Sequence, residues 1–332
     1  MNELMSRVSP IADMDCSFRS YLNSKKAHEA AHMKGNGIPD YAYGMDYELR
    51  KKLDSIPGLY KVARSITSTI VHQQMQIMNQ QAVCATPTSF PDVYEIGCEC
   101  ARRLGIAVPN IFIVNDQTLN AYTYACDDVE PFIVLHSGLY ERMTPGELKS
   151  IIGHECGHIQ NYHGSYETIA TLIAQEGLSA LGGLSAFFLS VFTTGVQLAL
   201  NSWSRAAEVT CDRAGLICAD NLEDALSAEA KLMYGGAFGD HKIDYASIEE
   251  QLELQMSNAT KYYEALYSHP TSARRIMAIR EFYECQTFYD WRPDMRKADS
   301  ILRSHKECDE RCKKFINLTE EGTRSKRGKE NE

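Results

Sequence analysis

Several things are scarce or missing in this chain of 332 residues, and each removes a class of explanation. No Gly-x-Ser-x-Gly elbow occurs, which is consistent with chemistry that needs no covalent acyl-enzyme. Basic residues are outnumbered, 34 Lys and Arg against 44 Asp and Glu, and a net charge of −10 disfavours nucleic acid as a partner. Ten prolines and no stretch rich in glycine, proline or serine leave no obvious linker, which favours one catalytic domain with helical additions. Residues 1–16 contain no continuous apolar run, so no secretory signal is expected. The eleven cysteines form an odd set without framework spacing, as expected of free thiols in a reducing cytoplasm. Cys308-x-x-x-Cys312 and Cys98-x-Cys100 also lack the spacing of a zinc knuckle.

What is present is more specific. Residues 154–158 read His-Glu-Cys-Gly-His. Histidines four apart on a helix share a face, so His154 and His158 can reach one ion. Glu155 lies about 100° round the helix, where it can touch a water on that ion. Thr144-Pro145-Gly146-Glu147 is a capping box with proline at the first helical position. Leu148, Ile151, Ile152, Cys156 and Ile159 then make an apolar stripe beside the histidines, and Gly164 is the expected helix stop.

A catalytic zinc takes three protein ligands and keeps one position open. A third histidine six residues after His158 would fall on Gly164, and His163 is one residue short of that register. Glu208, on a later helix, is the remaining common solution. Asp212 lies one turn on, placed to hydrogen-bond a ligand imidazole, and Arg205 shares the face one turn earlier. Ala206, Ala207, Val209, Ala214, Leu216 and Ile217 surround these charges and argue against a solvated face.

Together these residues resemble the gluzincin metallopeptidases, in the family that includes the CAAX prenyl endopeptidase and the HtpX heat-shock proteases. The resemblance rests on Asn120-Ala121-Tyr122-Thr123, the Pro-Phe-Ile-Val-Leu-His-Ser-Gly-Leu run at 131–139, Glu147-Leu148 and the segment 152–159. It continues through Arg205-x-x-Glu208-x-x-x-Asp212, His269-Pro270 and Arg275-Ile276. It covers about residues 80–280 and is closest to the soluble bacterial members. It implies His154, His158 and Glu208 as ligands of one zinc ion, Glu155 as general base, and Asp212 as a support to a ligand. It further implies that His269 and Arg275 stabilise the tetrahedral intermediate, and that Asn120, Ala121, Tyr122 and Thr123 form an edge strand that binds an extended peptide. The expected activity is zinc-dependent hydrolysis of internal peptide bonds. A zinc-binding scaffold that cleaves nothing and a zinc hydrolase of a small amide are the rivals.

The expected fold is α+β: a small, mostly antiparallel sheet packed on the His-Glu-x-x-His helix, then a mainly helical C-terminal half. Helices are expected over 59–78 and 91–104, strands over 82–86, 111–114, 120–125 and 132–136, and helix after Thr144 with a break near Gly235-Gly236. Residues 1–58 read as a polar, irregular N-terminal extension, 59–284 as the catalytic domain, 285–318 as a helical addition and 319–332 as a disordered tail. Residues 177–200 carry no charge and are long enough to span a membrane. One crossing, however, would put His158 and Glu208 on opposite sides. The expectation is a helix pair or bent helix packed on the domain, with cytoplasmic location favoured over shallow membrane contact.

Overall fold

A computed structural model describes residues 32–33, 37–126, 129–176, 194–235, 244–254 and 269–316. Two helices, α1 (Gly44–Asp54) and α2 (Leu59–Gln81), precede strand β1 (Val83–Cys84) and helix α3 (Pro91–Leu104). Strands β2 (Asn110–Val114), β3 (Ala121–Cys126) and β4 (Val129–His136) follow. The short α4 (Ser137–Arg142), α5 (Pro145–Gln160) and α6 (Gly164–Glu176) lead to a long α7 (Thr194–Cys218) and to α8 (Leu222–Tyr234). The last helices are α9 (Tyr245–Leu254), α10 (Ser272–Tyr283), α11 (Gln286–Trp291) and α12 (His305–Ile316).

The sheet order is β1-β2-β4-β3. β1–β2 and β4–β3 are antiparallel, but β2–β4 is parallel, so the sheet is mixed. β4 is covered on both faces and its side chains sort by period two. Ile133 and Leu135 join Ile111, Ile113, Leu148, Ile151 and Ile152 under α5, while Phe132 and Val134 pack with Phe112, Val71 and Met78 under α2. Pro131 is tolerated in this central strand because pairing with β2 begins only at Phe132 and the β3 register slips between Tyr124 and Cys126.

Helix α5 starts at the expected capping box. Thr144 Oγ1 accepts from the Glu147 amide at 3.3 Å, and Glu147 Oε2 accepts from the Thr144 amide at 2.7 Å. Its stop differs from expectation. Tyr162 adopts φ 56°, and the amides of Tyr162 and His163 donate to the carbonyls of Ile159 and His158. That is a left-handed cap with tyrosine where glycine is usual. Gly164 instead opens α6, where an added Cβ would lie 2.0 Å from the Ala125 carbonyl oxygen.

Helices α5 and α7 cross at close range because small residues face each other. A Cβ on Gly153 would stand 2.4 Å from Cys218 Cβ, one on Gly157 3.0 Å from Cys211 Cα, and one on Gly215 2.7 Å from the Ser150 carbonyl oxygen. This contact carries Glu208 and Asp212 to the histidines.

Residues 41–54 correct the expectation of an irregular N-terminal region. Tyr41, Tyr43, Asp46 and Leu53 are buried. Tyr41 Oη donates to Gln160 Oε1 at 2.6 Å, Arg50 Nη1 to the Asn161 carbonyl at 2.6 Å, and the Tyr43 amide to Thr210 Oγ1 at 3.1 Å. Aromatic and polar side chains replace an aliphatic stripe here, which is why hydropathy alone read the segment as peripheral. In the uncharged run 177–200, residues 177–193 lie outside the described residues; from Thr194 the chain is helical, with Val196 and Leu200 buried. Among the described residues no helix is long and apolar enough to cross a membrane. The tail from 319 also lies outside them.

Candidate active site

Helix α5 presents His154 and His158 toward α7, and the two Nε2 atoms stand 3.3 Å apart. Glu208 meets both: Oε2 is 3.5 Å from His154 Nε2 and Oε1 is 3.5 Å from His158 Nε2. A tetrahedral ion with ligand bonds of about 2.0–2.1 Å needs donors about 3.3–3.4 Å apart, so this triangle fits zinc. Asp212, one turn along α7, accepts from His154 Nδ1 at 3.0 Å, which leaves the His154 Nε2 lone pair facing the gap.

Cys211 also brings its thiol within 4.8 Å of both imidazoles. Burial and then the Glu208 charge push that thiol well above its usual range, which favours its protonated form. Glu208 behaves oppositely. Burial pushes its carboxyl up, but His269, His158 and Arg275 outweigh burial and hold it well below the usual carboxylate range. His158 is drawn down by burial, yet the Glu208 carboxylate lifts it to about 9. An ionised carboxylate thus faces two imidazoles, a donor set whose chemistry suits a divalent cation.

Glu155 lies beside this triangle, and its Oε2 accepts from Thr123 Oγ1 at 2.7 Å. Thr123 belongs to β3, the edge strand of the sheet. His136 donates its amide to the Asn120 carbonyl, so the alternating ladder turns the amides and carbonyls of Ala121 and Thr123 to the free edge. Residues 119–124 line the same 810 Å³ cavity as His154, Glu155, His158 and Glu208.

The C-terminal pair lies at the site but on other atoms than expected. His269 Nδ1 is 3.1 Å from Glu208 Oε1, with its side chain 55% exposed. Glu208 lifts His269 to about 9. Arg275, partly buried, faces three carboxylates. Its Nε and Nη2 donate to Asp212 at 3.0 and 2.5 Å, and Nη1 stands 3.3 Å from Glu229 and 3.6 Å from Glu208. Engaged in this way, Arg275 braces Asp212 and Glu208 at the cavity wall. Arg205 is buried but is not among the residues lining the cavity.

Three contributors were not anticipated. Glu229 reaches the site from α8, and Glu167 from α6, the latter held by Ser204 Oγ at 3.0 Å. His163 lies behind His158, with Nδ1 3.3 Å from His158 Nδ1 and Nε2 3.1 Å from Asp46 Oδ2. Only His163 left a sequence signal, as the histidine one residue out of register. Glu155, Glu167, Glu208, Asp212 and Glu229 line the cavity with Arg275, a surplus of negative charge that a divalent cation would offset.

Comparisons with known proteins identify the family. A family model for peptidase family M48 matches residues 87–283. Plastoglobule-localized metallopeptidase 48 of Arabidopsis thaliana is 29% identical over 201 residues, 59% of this chain and 56% of that protein. The chain thus matches little more than half the length of the plant relative. Protease HtpX of Legionella pneumophila is 23% identical over 216 residues, 58% of this chain and 76% of that protein. A protease HtpX homolog of Streptococcus agalactiae is 29% identical over 255 residues, 67% of this chain and 82% of that protein. The crystal structure of S. mikatae Ste24p aligns with a TM-score of 0.35 at 15% identity, covering 79% of this chain and 65% of that one. With its matched segment covering more than half of the sequence and containing the whole histidine–glutamate constellation, the chain belongs to peptidase family M48.

Proposed function

We propose that this chain is a zinc-dependent endopeptidase, with His154, His158 and Glu208 holding one zinc ion and Glu155 acting as general base. The observation that carries the reading is the triangle of donors 3.3–3.5 Å apart, next to a carboxylate, in a cavity bordered by an edge strand. Bound zinc would supply Lewis acidity and bring the pKa of water to about 7. Glu155 takes the proton from the attacking water and passes it to the leaving amine nitrogen. Thr123 Oγ1 donates to Glu155 Oε2, so Oε1 is the oxygen free for that transfer. Asp212 holds His154 in the tautomer whose Nε2 is unprotonated, and Arg275 braces Asp212. His269, half exposed at the cavity, donates to the developing oxyanion.

The substrate is a protein or peptide in extended form. It adds to the free edge of β3, where the backbone groups of Ala121 and Thr123 are unpaired within the sheet; Asn120 and Tyr122 line the same stretch. Digestion of casein or a peptide library tests the reading. Cleavage is expected to stop with a chelator, to return with zinc, and to fall by a factor of about 10²–10⁴ in Glu155→Gln. Full activity in Glu155→Gln would refute the mechanism. Zinc uptake without any cleavage would favour a scaffold, and cleavage of small amides alone would favour the other rival.

A further inference from the structure

We propose that Asp46, on the N-terminal helix α1, sets the tautomer of the metal ligand His158 through His163, in a buried carboxylate–imidazole–imidazole relay. Asp46 and His163 are thereby positioning residues for metal binding, and the N-terminal helix is part of the metal site. The inference rests on the reading of His158 as a zinc ligand.

Hydrogen directions follow from the donors present. Only Nε2 of His158 faces His154 and Glu208, so to bind zinc that nitrogen must keep its lone pair while Nδ1 carries the hydrogen. The acceptor available to Nδ1–H is His163 Nδ1, 3.3 Å away. It accepts only if the His163 hydrogen sits on Nε2, which then donates to Asp46 Oδ2 at 3.1 Å. An ionised carboxylate accepts and never donates, so Asp46 fixes the direction of the whole chain.

The surroundings of Asp46 enforce the same direction. Trp203 Nε1, a donor only, gives its hydrogen to Asp46 Oδ1 at 2.9 Å. Thr210 Oγ1 accepts from the Tyr43 amide and donates to Asp46 Oδ2 at 2.7 Å. All of these side chains are buried. The Cys211 thiol, 3.5 Å from His163 Nδ1, can share that lone pair as a weak donor but imposes no direction. The left-handed residue Tyr162 makes the arrangement possible, because it turns the chain so that His163 falls beneath His158. The two zinc histidines are thus oriented alike, His154 by Asp212 directly and His158 by Asp46 through one more ring.

Asp46→Asn reverses the relay almost isosterically. Trp203 keeps the amide oxygen in the Oδ1 place, so the amide NH₂ faces His163 Nε2. His163 must then accept there and carry its hydrogen on Nδ1, where it can rest on Cys211. Facing that hydrogen, His158 is driven to the Nε2–H form, which has no lone pair for the metal. In the zinc-bound form both rings are neutral, and the substitution changes only which ring nitrogen carries each proton. A carboxylate-to-amide change that leaves geometry intact but selects the wrong tautomer is known to disable a histidine.

Zinc affinity by chelator competition, on the full chain, is the test. Asp46→Asn should bind zinc about 10–100-fold more weakly while its far-ultraviolet circular dichroism matches wild type. Trp203→Phe keeps the carboxylate and removes one donor, so it should lower stability and leave zinc affinity near wild type. Unchanged affinity in Asp46→Asn, or equal losses in the two variants, would overturn the proposal. Should Asp46→Asn not fold, ¹⁵N spectra of zinc-loaded, histidine-labelled wild type decide: hydrogens on His158 Nδ1 and His163 Nε2 are expected, and the opposite pattern overturns it. Wild type that takes up no zinc would instead overturn the metal-site reading.

Discussion

Gly157→Ala probes the packing that assembles the site. The new methyl would lie 2.9 Å from Ala214 Cβ, 3.0 Å from Cys211 Cα and 3.3 Å from Cys211 Sγ. Carbon atoms in contact prefer about 3.5–4.0 Å, so the shortfall is about 0.5–1 Å, and one of the obstacles is backbone that cannot rotate away. Overpacking of this kind costs about 1–3 kcal/mol. The helix propensity of alanine returns about 1 kcal/mol, so the net loss of stability is about 0–2 kcal/mol. The larger effect falls on zinc. Cys211 lies between Glu208 and Asp212, so prising α7 from α5 there opens the donor triangle by a comparable distance. Sites tolerate about 0.5 Å before function suffers. Zinc affinity by chelator competition should fall at least about tenfold, beside a modest drop in denaturant midpoint. Wild-type affinity together with a gain of about 1 kcal/mol, the outcome for a glycine with room to spare, would refute the reasoning.

Other outcomes follow from the same geometry. Thr144→Ala removes the cap of α5 and should cost about 0.5–2 kcal/mol in urea unfolding, with no change in zinc stoichiometry. Gly164→Ala meets the Ala125 backbone and should destabilise by about 1–3 kcal/mol; a stabilised variant would contradict the packing described. His158, raised from 6.5 to about 9 in the metal-free protein, stabilises that form fully below pH 6.5 and ceases to do so as pH rises through 9. The thermal midpoint of the metal-free protein should therefore fall over that window. Apparent zinc affinity should rise over the same window and zinc uptake at pH 7 should release protons to an indicator dye; a flat profile would count against His158 as a ligand.

Where the sequence spoke clearly, one local rule was enough. The capping box placed the start of α5, the four-residue spacing placed both histidines on one face, and α3 spans Pro91–Leu104 as expected. Glu208 was legible because its helix is apolar around an unexplained charge. The features that escaped depend on tertiary contact. Tyr162 takes a backbone conformation that tyrosine rarely adopts, so the end of α5 was placed at Gly164. Gly164 is glycine for lack of space, a reason visible only beside Ala125. Asp46 lies more than a hundred residues before His163, in a segment whose aromatic and polar side chains carry no periodic signature. Arg275 was expected at the reacting carbonyl, but the carboxylates that bind it come from α7 and α8 and were not jointly visible in sequence.

The chemistry proposed for this site depends on which side chains hold the metal. A crystal structure of the zinc-loaded chain, with an anomalous-difference map at the zinc edge, tests it most directly. One peak is predicted, within bonding distance of His154 Nε2, His158 Nε2 and a Glu208 oxygen, with Cys211 beyond reach. A peak bound to Cys211 in place of Glu208, or one held by Glu167, Glu208 and His269 with the two α5 histidines free, would contradict it.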